Sequence, residues 1–239
     1  MPTWLRVPAF LRSRKARIQE VDRNFRQKML AVMPEDVFYV SCDPSDCPGL
    51  NLSDLEDVTS KIKQLGFEYC IDRRSRWPKE QKLRGFQRVF INQIDSCFAV
   101  VTSTSKRLES EGELLIGFYC PLEQDWWIGA TNGKPSTLKY LIRSPKFAQV
   151  VKPSATAAAL YAGCVELRNR ISSDLELCQA KNVTLEMLDE WSRSHLKEVR
   201  SLVERRSAVQ AAAAAKKVFA AGEWVWLGDS SKCDASERE

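Results

Sequence analysis

The most strongly apolar run in the chain is Leu114-Leu115-Ile116-Gly117-Phe118-Tyr119-Cys120. Successive side chains of a β-strand point to opposite faces of the sheet, so this run places apolar side chains on both faces. Such a strand needs a cover on each side. The segment Cys97–Val101 has the same character. Both segments are predicted to be interior strands, with helices or a partner subunit supplying the second cover.

Further strand-like segments surround this run at short intervals. Their connections, roughly three to ten residues long, carry no helical pattern, whereas parallel neighbours need crossovers of about a dozen residues. We therefore predict an antiparallel meander of five or six strands. The strand-like segments are Phe67–Asp72, Gln87–Asn92, Ser96–Thr104, Glu113–Cys120, Asp125–Thr131 and Thr137–Ile142, with a short apolar run at Val37–Val40 ahead of them.

Helical periodicity flanks the strands, which makes the predicted fold class α+β. Ser53 and Glu56 have the spacing of a capping box, and Gly66 suits a left-handed C-terminal cap, so a helix is predicted over about 54–65. A second helical segment follows Pro153 and Ser154. Thr184 is the expected N-cap of a long C-terminal helix that the run Ala211–Ala215 prolongs toward Gly222.

This organisation divides the chain into four predicted parts. The core is one α+β domain, to which helical segments are added at both ends. The parts are a basic amphipathic helical extension (1–33), the core domain (35–172), a long helical extension (173–222), and a short aromatic segment with a disordered polar tail (223–239).

The basic character of the chain is concentrated in its first segment. Residues 1–33 hold eight Lys and Arg against two acidic residues, a balance of +6, while the whole chain carries +5. Ile18, Val21, Phe25 and Met29 recur at helical spacing, so the segment is predicted to be an amphipathic helix. It can dock on the body of the protein, lie on an anionic membrane surface or enter a groove of a protein partner.

A second basic segment, Arg73–Gly85, is predicted to be a loop that contains Trp77. Such a loop can contact phosphates or an acidic partner, although the nearly neutral body argues against a nucleic-acid-binding surface. We expect no nucleic-acid partner. The basic-surface candidates of the two segments are Arg12, Arg14, Lys15, Arg17, Arg73, Arg74 and Arg76.

The sequence lacks the usual catalytic and metal-binding motifs. His195 is the single histidine and is predicted to be a structural residue beside the apolar stripe of its helix. Phosphate-binding glycine loops and the nucleophile elbow G-x-S-x-G are absent. We therefore expect no cofactor, no metal and no catalytic residue, and an enzyme only if the fold assembles a site from scattered groups.

Eight cysteines fit an intracellular protein. Cys70, Cys97, Cys120, Cys164 and Cys178 fall one to an element and are predicted to be buried as reduced, small apolar residues. Cys42 and Cys47 share a Pro- and Asp-rich loop ahead of a helix, where a regulatory disulfide is an alternative to two ordinary thiols. With no export signal in the first residues, the expected location is the cytoplasm.

Trp126-Trp127, followed by Asn132-Gly133, is the most unusual local composition. Adjacent tryptophans on a strand face opposite sides of the sheet, so one belongs to the core and the other to the second face. Trp127 and Asn132, with Trp77, are therefore candidates for a ligand surface, the alternative being core and turn residues.

The preferred expectation is a non-catalytic binding or adaptor module that associates through its helical extensions. The alternatives are a small-molecule-binding protein or enzyme with a site near Trp127, and a peripheral membrane protein attached through 1–33.

Overall fold

The computed structural model describes residues 9–77, 83–103, 114–133, 144–205 and 224–226, with side chains described from residue 16 except those of Val32 and 224–226. Seven strands lie side by side in chain order, and a three-residue eighth strand pairs with the last of them. Every neighbouring pair is antiparallel except β6 and β7. The strands are β1 (Phe38–Ser41), β2 (Glu68–Arg76), β3 (Leu83–Asn92), β4 (Cys97–Ser103), β5 (Leu114–Pro121), β6 (Trp127–Thr131), β7 (Phe147–Val151) and β8 (Trp224–Trp226).

The α+β class and the mostly antiparallel sheet are confirmed, but the predicted count of five or six strands is wrong. The additional strands are β7, which the sequence did not indicate, and β8. The parallel pair β6–β7 obeys the crossover rule, because 15 residues (132–146) separate the two strands. The predicted strand Thr137–Ile142 falls in this connection and lies outside the described residues.

Four α-helices accompany the sheet: α1 (Ala9–Val32), α2 (Leu52–Gln64), α3 (Ala157–Leu175) and α4 (Leu185–Arg205). The predicted capping box of α2 is wrong. Asn51 is the N-cap, and its Oδ1 accepts from the backbone N–H groups of Ser53 (3.0 Å) and Asp54 (3.2 Å), so the helix starts earlier. Gly66 has the expected left-handed conformation (φ 84°) after the helix. Thr184 Oγ1 accepts from Met187 N (3.3 Å), as an N-cap does.

The sheet is covered on both faces by helices of the same chain. On the first face, Leu55 and Ile62 of α2 and Leu160 and Cys164 of α3 pack on the larger core, which contains Phe118. On the second face, Leu188 and Trp191 of α4 pack on Val89, Phe98 and Trp127. The segment 173–222 thus contains a helix that packs against the core sheet.

Two buried arginine side chains of the sheet form ion pairs, and each reaches a carboxylate of a covering helix. On the first face, Arg88 forms a bidentate pair with Asp72 and also bonds Glu56 of α2 (Nη1–Oε1, 2.6 Å). On the second face, Arg73 of β2 forms a salt bridge with Asp189 of α4. Arg73 therefore lies inside the protein, since its side chain is 3% exposed, and not on a basic surface.

The basic segment after Ile71 is part of the sheet and not the loop predicted over Arg73–Gly85. Strand β2 continues to Arg76 and β3 begins at Leu83. Arg74 is half-buried and donates to the carbonyl of Leu83, while Arg76 is exposed. Trp77 packs beneath the guanidinium of Arg84, whose Cζ lies 4.1 Å from the ring centroid.

The expectation of reduced, buried cysteines is wrong for four of the five positions. Cys97 and Cys120 form a disulfide between the neighbouring strands β4 and β5. Cys70 and Cys178 are exposed. Of these five cysteines, Cys164 is the one that is a buried thiol, with its Sγ 3.7 Å from that of Cys120.

Candidate functional site

Four aromatic rings are stacked in a column between the second face of the sheet and α4. The ring of Trp127 lies between Phe98 (6.0 Å between centroids) and Trp191 (4.5 Å), and His195 follows Trp191 (5.1 Å). The planes of successive rings differ by only 15–19°. Trp191 and His195 are four residues apart and therefore occupy one side of α4. The helix thus adds two rings to the two that the sheet supplies.

Two strand glycines make room for further rings on this face. A Cβ at Gly129 would lie 2.9 Å from the ring of Phe147, and a Cβ at Gly117 would lie 2.8 Å from the ring of Tyr119. Glycine within a strand commonly marks such a close approach. Phe147 and Tyr119 consequently lie flat enough to contact Trp191, with centroids 5.4 Å and 5.3 Å from its ring.

A cavity of about 440 Å³ opens beside this column, between α4, the start of β6 and the residues before β7. Its volume falls in the range of small-molecule sites, about 300–1,000 Å³. Aromatic rings and the side chain of Met187 form the apolar part of its wall, and hydroxyl, carboxylate and ammonium groups form the polar part. The described lining residues are Asp125, Trp127, Ser144, Lys146, Met187, Glu190, Trp191, Ser194, His195 and Glu198.

Hydrogen bonds to a neighbouring side chain or carbonyl position three polar groups of the cavity, those of Ser144, Glu198 and Lys146. Ser144 Oγ donates to Glu198 Oε2 (2.5 Å), which links the residues before β7 to α4. Lys146 Nζ donates to the carbonyl of Gln124 (2.8 Å). Asp125 stands in the turn before β6, where Trp126 N donates to Glu123 O (3.3 Å). Burial lowers the pKa of His195 below 6.5, with Glu198 opposing the shift, so the neutral imidazole predominates at pH 7.

The structure brings only one predicted ligand-surface residue to this cavity. Trp127 lines it, although the side chain is largely buried by the stack. Asn132 instead joins β5 to β6, because its Oδ1 accepts from the backbone N–H of Ile116 (2.8 Å). Trp77 lies at the β2–β3 connection, where it packs against Arg84. Neither residue is among the described lining of the cavity.

Sequence reasoning missed the contribution of α4 to the site. Glu190, Trp191, His195 and Glu198 recur at intervals that place them near one helix face, and this was the available signal. The spacing alone does not distinguish the wall of a cavity from an ordinary buried stripe. The position of β6 opposite the helix makes this distinction, because the cavity lies between the two.

The basic-surface candidates whose side chains the structure describes, Arg17, Arg73, Arg74 and Arg76, differ in exposure. Arg17 is exposed on α1 and Arg76 is exposed at the end of β2, while Arg73 is buried. Arg12, Arg14 and Lys15 belong to α1, but their side chains lie outside the described part of the structure.

The thiols of Cys42 and Cys47 lie 3.9 Å apart (Sγ–Sγ) between β1 and α2. Burial raises the pKa of Cys42 to about 12, and the neighbouring Cys47 adds to this shift. The thiolate is the reactive form of cysteine. Because its pKa is raised, Cys42 stays a thiol at pH 7, and its closeness to Cys47 does not make it a fast nucleophile there. Within the described ranges, no three His, Cys, Asp or Glu side chains come together as a metal-binding group.

No family model, curated protein or solved structure matches this chain. None of the helices that the structure describes is both long enough and apolar enough to cross a membrane.

Proposed function

We propose that the protein binds a small molecule, without transforming it, in the cavity beside the Trp127–Trp191–His195 stack. The single observation that carries this proposal is a concave space of about 440 Å³ with an aromatic wall and convergent polar groups. The neutral His195 and the ring edges offer apolar contact, and Glu198, Ser144 and Lys146 offer hydrogen-bonding groups. Association with a protein partner through the helical segments stays a prediction.

A cavity-filling variant tests this proposal. Ser194 lines the cavity and is exposed, so the change Ser194→Phe places a ring in the space without disturbing the core. Compounds found by ligand-observed NMR against the unmodified protein are expected to bind this variant at least tenfold more weakly. Ser60→Phe, at an exposed serine of α2 on the other side of the sheet, is the matched control. Equal binding to both variants would place the ligand elsewhere and contradict the proposal.

A second candidate function is attachment to an anionic membrane surface through α1. Ile18 and Val21 of its predicted apolar stripe are 36% and 54% exposed, and Arg17 and Arg23 are exposed nearby. Apolar burial and attraction to anionic lipids add in such a helix. Co-sedimentation with phosphatidylserine vesicles is expected to fall in the double variant Ile18→Ser and Val21→Ser. Equal pelleting of both proteins would remove this candidate.

A further inference from the structure

The charge of the cavity narrows the class of ligand beyond a small molecule. Its described lining carries three carboxylates, Asp125, Glu190 and Glu198, against the single ammonium group of Lys146, a formal balance of −2. We infer that the cavity binds small organic cations, in which an ammonium group is attached to an apolar body, more tightly than neutral or anionic molecules. This inference rests on the proposed function.

The carboxylates are spaced along the aromatic wall. Glu190 and Glu198 are eight residues apart on α4, which corresponds to about 12 Å along the helix axis. Trp191 and His195 lie between them on the helix, and Asp125 approaches from the turn before β6. Glu198 is half-buried, whereas Glu190 and Asp125 are exposed. A ligand whose apolar part contacts the rings therefore has a carboxylate within reach at either end.

The stacked rings are an apolar wall and not a cation–π cage. Trp127 and His195 are both stacked nearly parallel to Trp191, at centroid distances of 4.5 Å and 5.1 Å. A cation–π contact requires an open ring face, and the ring edge carries partial positive charge. The positive group is thus assigned to the carboxylates, and the rings to the apolar body.

The two basic side chains of the described lining, His195 and Lys146, do not cancel this negative charge. Burial disfavours the charged form of His195 and lowers its pKa, so the neutral imidazole predominates at pH 7. Lys146 is exposed and its ammonium donates to the carbonyl of Gln124. The half-buried Glu198 accepts a hydrogen bond of 2.5 Å from the neutral hydroxyl of Ser144, and this contact does not compensate its charge.

Three probes of similar shape test the inference: 2-phenylethylammonium, the neutral 2-phenylethanol and the anionic 3-phenylpropanoate. Calorimetry and ligand-observed NMR are expected to show the cation binding at least tenfold more tightly than the neutral probe. Each of the variants Glu190→Gln and Glu198→Gln is expected to bind the cation about threefold to tenfold more weakly, with the larger loss at half-buried Glu198. Glu204→Gln, at an exposed position of α4 that does not line the cavity, is the matched control.

Salt and cavity filling separate the possible outcomes. Raising sodium chloride from 20 to 300 mM is expected to weaken binding of the cation and to leave binding of the alcohol unchanged, because salt screens the charge interaction. If the alcohol or the carboxylate binds as tightly as the cation, and Ser194→Phe abolishes that binding, the cation assignment is overturned and the small-molecule site stands. If no probe binds, or if Ser194→Phe changes nothing, the cation assignment and the site fall together.

Discussion

At the scale of single residues, the structure distinguishes a buried ion pair that stabilises the fold from an exposed ion pair that contributes little. Arg88 Nε and Nη2 donate to the two carboxylate oxygens of Asp72 (2.8 and 2.9 Å), and Nη1 donates to Thr59 Oγ1 (2.9 Å). The side chains of this pair are 9% and 7% exposed. Lys61 and Asp57 form an even shorter pair (Nζ–Oδ2, 2.5 Å) on the surface of α2, with side chains 57% and 62% exposed.

The substitution Asp72→Asn is expected to lower the free energy of unfolding by about 3 kcal/mol, because it leaves the buried guanidinium of Arg88 with only the exposed carboxylate of Glu56 as counter-charge. Asp57→Asn makes the same chemical change in the exposed pair and is expected to cost about 0.5 kcal/mol or less. Urea titration followed by circular dichroism measures both. Equal losses in the two variants would mean that burial of the Arg88 network contributes nothing.

At the scale of elements, α1 is attached to α4 at its C-terminal end. The last carbonyls of a helix have no intrahelical partner. Arg200 Nη1 of α4 lies within hydrogen-bonding distance of three carbonyls at the end of α1, those of Leu30 (3.4 Å), Met33 (2.5 Å) and Pro34 (3.3 Å). Farther toward the N-terminus, Ile18 and Val21 are exposed. The C-terminal end of α1 is therefore attached to α4, and Asp22, one turn after Ile18, is also buried.

The substitution Arg200→Ala is expected to raise amide hydrogen exchange across α1 about tenfold or more, since hydrogen bonds from a charged donor contribute about 1.5–3 kcal/mol. Amides of β3 and β4 should keep their protection, because they belong to the buried sheet. Arg205→Ala provides the control, since Arg205 Nε bonds the carbonyl of Ser201 in its own helix (3.2 Å). Unchanged exchange in α1 would show that other contacts hold the helix.

At the scale of the whole molecule, buried titratable groups set the pH range in which the fold is stable. Burial lowers the pKa of His195 below its ordinary 6.5 and raises those of Cys164 and Tyr119 to about 12. In each case the folded protein favours the neutral form. Below pH 6.5 the unfolded chain takes up the His195 proton more readily, so stability falls as the pH drops through the folded pKa. Above about pH 9 the unfolded chain loses the Cys164 and Tyr119 protons more readily, so stability falls as the pH rises.

The variant His195→Gln is expected to reduce the loss of stability between pH 7 and pH 5 while leaving the alkaline limb unchanged. Urea midpoints measured at each pH give the two curves, and their difference isolates the contribution of His195 from that of other acidic-range groups. Parallel curves for the two proteins would show that His195 has the same pKa in the folded and unfolded states.

The sequence by itself determined the local features whose signals are local. Apolar residues on both faces of 114–120 predicted an interior strand, and the short connections predicted antiparallel neighbours, because chain length limits how far a crossover can reach. Gly66 predicted the left-handed end of α2, since a residue without Cβ adopts that conformation at little cost. Local signals gave a wrong prediction where two nearby residues could both cap a helix: the N-cap of α2 is Asn51 and not Ser53.

Only the tertiary structure decided the features that depend on residues far apart in the chain. Cys97 and Cys120 become partners because β4 and β5 are neighbours in register, and Arg73 becomes buried because Asp189 arrives on α4. Trp127 was identified from its own strand, but its cavity was not, because the wall opposite comes from Trp191, His195 and Glu198, more than sixty residues later. Packing of a helix on a sheet is set by the shapes of both surfaces together, and neither surface alone specifies the space left between them.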